Sequence, residues 1–166
     1  YIPIGFLDNN YIPNNSVEII YNSGNYHFGV LTSKMHMAWM SAVCGKLETR
    51  YRYSKDIVYN HFPWPMDVTD KQRQAVETAA QGVLDARENH PDATLADLYN
   101  PLGMPEDLRK AHRTLDKAVD KCYNSNKVFT DDYSRQKFLF DLHRQYEEPI
   151  FKEHQDNKNH RRKKIA

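Results

Sequence analysis

Glu48, Arg50 and Arg52 alternate with Leu47, Thr49, Tyr51 and Tyr53 in the run Leu47-Glu48-Thr49-Arg50-Tyr51-Arg52-Tyr53. Read as one β-strand, successive side chains point to opposite faces, so a carboxylate and two guanidinium groups share one face. Such a trio has a chemical use in a DNA major groove. A carboxylate accepts from cytosine N4, and a guanidinium spans guanine O6 and N7. An exposed strand carrying an ordinary salt bridge fits the same residues and is the commoner arrangement. On residue types alone both readings stand. Lys46 and Lys55 flank the run and could meet phosphates. Ser33 and Lys34 form a second candidate, because the N–H groups of a helix N-terminus beside a cation suit a phosphate. The plainer alternative there is capping by Ser33 with Lys34 in solvent.

No other constellation carries chemistry. The glycines form neither G-x-G-x-x-G nor a P-loop, and G-x-S-x-G is absent. The histidines are dispersed, without H-E-x-x-H or Cys/His pairs at zinc spacing. His36 reads as structural or solvent-facing rather than as a ligand-contacting residue. His112 and Asp116, at i and i+4 on one helix, read as marking a surface or interhelix hydrogen bond rather than catalysis. Cys44 lacks an electropositive setting that would activate a thiol. Trp39 and Trp64 read as packing residues.

The elements that must position the charged run change character near Phe62-Pro63-Trp64-Pro65, where two prolines will not continue a helix. Residues 1–65 read as mixed α and β. Strands are expected over Ile2 to Leu7, Val17 to Tyr21, Leu47 to Tyr53 and Ile57 to Asn60. A helix is expected from about Ser33 to Cys44, with Met35, Ala38, Trp39 and Ala42 on one face and Gly45 beyond its end. Residues 66–151 read as about four helices. These are Asp67 to Glu88, a short one capped by Thr94, one opened by Pro105, and one capped by Thr130 that Pro149 ends or kinks. Residues 152–166 read as a basic flexible tail. The expected fold class is α+β, a small mixed segment followed by an all-helical domain.

The chain has 166 residues, 23 Lys+Arg and 22 Asp+Glu. The near-balance hides a net +1 over residues 1–65, −4 over 66–151 and +4 over 152–166. The middle block is a poor polyanion partner, whereas the basic end could add nonspecific DNA affinity. No apolar run approaches the ~20 residues of a membrane span. Two separated cysteines suit a reducing cytoplasm. A start at Tyr-Ile-Pro-Ile-Gly, without Met or a signal pattern, suggests a piece of a longer protein.

Several blocks together resemble one family. They are Thr32-Ser33-Lys34-Met35-His36-Met37-Ala38-Trp39, Val43-Cys44-Gly45-Lys46-Leu47, Tyr51-Arg52-Tyr53-Ser54 and Val58-Tyr59-Asn60-His61-Phe62-Pro63-Trp64-Pro65. In this order they resemble the end of the target-recognition domain of MmeI-like restriction–modification DNA methyltransferases. Tyr99-Asn100-Pro101 and the run His112 to Asp120 more weakly resemble that family's helical C-terminal domain. The resemblance implies a sequence-reading part of an adenine-N6 methyltransferase, with double-stranded DNA and the parent's methyltransferase domain as partners. It implies S-adenosylmethionine for the parent and no cofactor here, because Asn100-Pro101-Leu102 is not the family's Asn-Pro-Pro-aromatic motif. The segment by itself is therefore expected to be inactive. The resemblance also places Glu48 and Arg50 where the family reads a base pair, Arg52 at a nearby specificity position, and Ser16 at an upstream one. The rival expectation is a helical protein-interaction module without base readout.

Overall fold

The computed structural model describes residues 1–7, 10–14, 17–47 and 50–163, with side chains throughout except at 46, 47, 50 and 148–163. Two helices with strict 3.6-residue patterns form the base of the fold. In α3 (Asp70–Glu88) the buried positions are Val76, Ala80, Val83 and Ala86. In α5 (Glu106–Tyr123) they are Leu108, His112, Leu115, Asp116, Val119 and Cys122. These stripes face one another, and the small side chains of α3 let the two helices approach closely. Thr69 starts α3 through a reciprocal capping box with Gln72, and Thr94 starts the short α4 (Leu95–Leu98) the same way with Asp97. Pro105 stands just before the first residue of α5.

The last helix, α6 (Asp132–Lys163), departs from expectation at both ends. Its cap is Asp131 rather than Thr130, because the Asp131 carboxylate accepts from Ser134 N–H at 2.7 Å. Pro149 does not end it. The expected flexible tail is helical as far as Lys163, and residues 164–166 lie outside the described residues.

Residues 1–65 contain more helix and less strand than their composition suggests. α1 (Asn25–Thr32) and α2 (Lys34–Val43) are separated by the extended Ser33. β1 (Gly45–Leu47) and β2 (Arg50–Arg52) pair antiparallel, with Gly45 opposite Arg52, Lys46 opposite Tyr51 and Leu47 opposite Arg50. The expected single strand over Leu47 to Tyr53 is instead divided between two antiparallel strands, β1 ending at Leu47 and β2 starting at Arg50. The described parts of 2–7 and 17–21 are irregular, with no partner strand. Ile2 and Ile4 instead pack on the core, and the Ile4 carbonyl accepts from Arg87 at 2.7 Å. Residues expected as a strand near Ile57 form a π-helical turn, Lys55–Tyr59, closed by Asn60 N–H to Lys55 O. The turn buries Val58 alone and aims its carbonyl at the Trp39 indole N–H, 3.0 Å away. Among the described residues the fold is mostly helical with one short ribbon, so α+β describes it only roughly.

α1 joins the two parts into one hydrophobic core. It packs on α3, while α2 packs on α6 and touches α5. Phe28, Gly29, Val30, Leu31 and Thr32 are all buried. Gly29 is required by close approach. A Cβ there would stand 2.8 Å from Val76 Cγ1 and 3.2 Å from both Ala80 Cβ and Leu115 Cδ1. Val76 is β-branched and cannot easily turn away. Gly29→Ala is therefore expected to destabilise the fold by about 1–3 kcal/mol through overpacking. A urea unfolding midpoint unchanged from wild type would contradict this wedge.

Candidate nucleic-acid interface

Three contacts hold the β1–β2 ribbon onto α2 and the turn that follows it. The Cys44 thiol, at the end of α2, donates to the Arg52 carbonyl at 2.8 Å. Burial raises the Cys44 pKa above its usual value, so this thiol is held protonated rather than activated. The Tyr53 hydroxyl meets His36 Nε2 at 3.0 Å beneath the end of β2. Trp39 then ties the π turn down through Val58. These anchors are buried or half-buried, whereas Tyr51 and Arg52 are exposed. A twisted ribbon of this kind is one of the two element types that a B-DNA major groove admits.

The base of α2 is fixed by a polar seam. Asp116, buried on α5, accepts from Lys34 N–H at 2.7 Å through one oxygen and from the Tyr1 hydroxyl through the other. A carboxylate at this position complements the partial positive charge of a helix N-terminus. The Tyr1 ring stacks on His112, with centroids 4.1 Å apart. Arg87 donates to the Tyr99 hydroxyl, which is then left to donate to His112 Nε2 at 2.7 Å. His112 and Asp116 thus each hydrogen-bond to other parts of the fold, His112 to Tyr99 and Asp116 to Lys34 and Tyr1, and Ile4 is tied to Arg87.

The structure separates the residues expected to contact DNA. Arg50 and Arg52 stand two apart on β2, and Lys46 lies on β1 opposite Tyr51. The side chains of Lys46 and Arg50 lie outside the described residues, as do Glu48 and Ser16 entirely. Lys55 is exposed and pairs with Glu18 at 3.6 Å. Such an exposed pair is weak and readily exchanged. Ser33 and Lys34 lie at the opposite end of α2, roughly 15 Å away along a helix of this length. The expectation of a phosphate contact at Ser33 is corrected. Its side chain is fully buried and its hydroxyl donates to Val30 O at 2.7 Å, while Asp116 already occupies the adjoining N–H of Lys34. The Lys34 side chain remains exposed.

The polar seam was not foreseen in full. The i, i+4 spacing of His112 and Asp116 hinted at it, but Tyr1, Lys34 and Arg87 lie too far away in the chain for spacing to reveal them. His36, Trp39 and Trp64 are packing residues. Trp39 stacks on His143 at 5.4 Å, and Trp64 packs edge-on against Phe62 at 5.4 Å.

Comparison with known proteins follows the same division. The MmeI target recognition domain family matches residues 1–66, and the MmeI C-terminal domain family matches residues 68–151. DNA methyltransferase A of Bacillus subtilis (strain 168) is 40% identical over 148 residues, which are 89% of this chain and 16% of that protein. A solved structure of the type IIL restriction–modification enzyme MmeI in complex with DNA superposes with a TM-score of 0.71 at 46% identity. That match covers 75% of this chain and 16% of the MmeI chain. The chain therefore spans about one sixth of the length of these relatives.

Two buried histidines, His36 and His112, are expected to make the scaffold acid-sensitive. Burial pulls both His36 and His112 down to about 3 from an ordinary 6.5. A depressed histidine contributes stability that is complete above 6.5 and is lost as pH falls toward its folded value. Each is expected to remove about 1.4 kcal/mol per pH unit in that window. Burial raises the Asp116 carboxyl above its usual 3.8, so Asp116 acts in the opposite sense over the acid part of the range. His36→Gln should roughly halve the histidine-dependent slope between about pH 6 and 5. Urea midpoints across that range test this, and an unaltered slope would contradict the assignment to His36.

Proposed function

The chain belongs to the MmeI family, and from that premise we propose that it reads DNA sequence for a restriction–modification enzyme that methylates adenine N6 with S-adenosylmethionine. The observation that carries the reading is an exposed ribbon bearing Arg50 and Arg52, fastened to a rigid helix by Cys44, His36 and Trp39. Base discrimination demands such support, because a bidentate guanidinium contact loses its selectivity when its backbone can drift. Glu48 and Arg50 would read opposite partners of one base pair, and Arg52 a neighbouring position. Lys46, Lys55 and the Lys34 side chain would meet phosphates and set the register without reading sequence. The helical part, with its negative balance over residues 66–151, would brace the ribbon rather than line the DNA.

Methyl transfer itself needs a cofactor site and a pocket for the flipped adenine, which the remainder of such an enzyme would supply. This chain's part is to hold the duplex in register while that base leaves the stack. The parent's methyltransferase domain and double-stranded DNA are therefore the proposed partners, in a reducing cytoplasm compatible with the free thiols of Cys44 and Cys122. No helix among the described residues is long and apolar enough to cross a membrane.

The test is a paired exchange, Glu48→Lys with Arg50→Asp, in the full-length enzyme. Preference among short duplexes differing at one base pair should change, by about 1–3 kcal/mol at that position. Lys55→Ala should instead weaken binding alike on every sequence and reduce the salt dependence by about one phosphate contact. An unchanged preference in a folded double variant would overturn base readout and favour a protein-interaction role.

A further inference from the structure

Among the described residues, one cluster of side chains lies outside the ribbon and is not used by the base reading proposed above. His61, beside the Phe62-Pro63-Trp64-Pro65 segment, meets His143 and Glu147 of α6. One potential ligand atom from each lies within 4.8 Å of those of the other two. We propose that these three residues bind a divalent transition-metal ion of the zinc type, which clips the end of the recognition segment to α6.

The ligand chemistry and the surroundings both support this. His143 and Glu147 are one helical turn apart, and His143 Nδ1 stands 3.7 Å from Glu147 Oε2. That spacing places an imidazole and a carboxylate on the same helix face. The His61 and His143 rings have centroids 5.9 Å apart. Zinc–ligand bonds near 2.0–2.2 Å require donor atoms about 3.4 Å from one another in a tetrahedron, so only small side-chain rotations are needed. Two imidazoles with one carboxylate favour zinc over magnesium or calcium, which take all-oxygen sets. Three protein ligands leave a fourth position for water.

The neighbourhood restrains these ligands. The His143 ring lies nearly parallel to Trp39, at 28°, and Trp39 is itself fixed by its bond to Val58 O. The Tyr146 hydroxyl donates to Trp64 O at 2.7 Å, which holds α6 in register against the segment that follows His61. The metal would thus add a third tie between two elements already aligned, and a binding ion stabilises the state that assembles its ligands.

The test uses the full-length protein, free of affinity tags. Co2+ serves as a spectroscopic stand-in for zinc, and Zn2+ is titrated calorimetrically. Wild type should bind one equivalent more than His61→Asn, with visible Co2+ absorption of a low-coordinate site that Zn2+ abolishes and excess Mg2+ leaves in place. Glu147→Gln should weaken that equivalent on the order of 10–100-fold. His61 is exposed, so its variant keeps the fold, and unfolding midpoints in chelator confirm this. Zn2+ should raise the wild-type midpoint and leave that of His61→Asn unmoved. Equal stoichiometry in wild type and His61→Asn would overturn the proposal, as would displacement of Co2+ by Mg2+.

Discussion

The Asp116 side chain reaches from α5 to the first turn of α2 and accepts hydrogen bonds from Lys34 N–H and the Tyr1 hydroxyl. Burial disfavours its charge, so the carboxylate is tolerable there only because donors and the α2 terminus converge on it. That requirement places the start of α2. A short helix is a stiff rod, so placing one end also places the other, roughly 15 Å on. The ribbon at that far end inherits its position from a carboxylate it never touches. Tyr1, stacked on His112, and Arg87, bonded to Ile4 O, repeat the connection alongside.

α6 supports the same rod from another side. Gln136 donates to Ala38 O at 3.2 Å and to Ser41 Oγ at 3.0 Å, and Leu139 is buried beneath. The start of α6 is fastened to α5 by Arg135, which makes a two-point contact with Asp120 at 3.1 and 2.7 Å. Both side chains are largely buried, so neither partner is easily lost without leaving a stranded charge. α2 is thus held at its beginning by α5 and along its length by α6, and its free end carries the ribbon.

The helical half was largely legible because α3 and α5 each bury one face, and a single buried face leaves a 3.6-residue period. Thr94 was readable as a cap because its bonds are local, whereas the start of α3 at Thr69 rather than Asp67 was not. α1 left no such trace. It is covered nearly all round, and a uniform run such as Phe28 to Thr32 has no period to detect. Near Ile57, β-branched residues suggested a strand, but the demand to bury Val58 and satisfy Trp39 overrode local propensity. At the site, the alternating run gave no sign that Leu47 and Arg50 belong to two paired strands rather than one. Ser33 does stand at the start of α2, but its hydroxyl donates to Val30 O instead of capping the helix. What residue types could not disclose was the anion already at that terminus, supplied by a carboxylate distant in the chain.

The wedge of α1 between α3 and α5 bears on how such proteins can be recombined. Two domain families meet at residues 66 and 68, yet Gly29, from the first, lies against Val76 and Leu115, from the second. The family boundary is not a folding boundary. A graft cut at Pro65 would join a new α1 to an old α3 and place mismatched surfaces where there is no room for a methyl group. Recombination that respects the packing must either carry both parts together or confine itself to the ribbon, which lies away from the Gly29 contact.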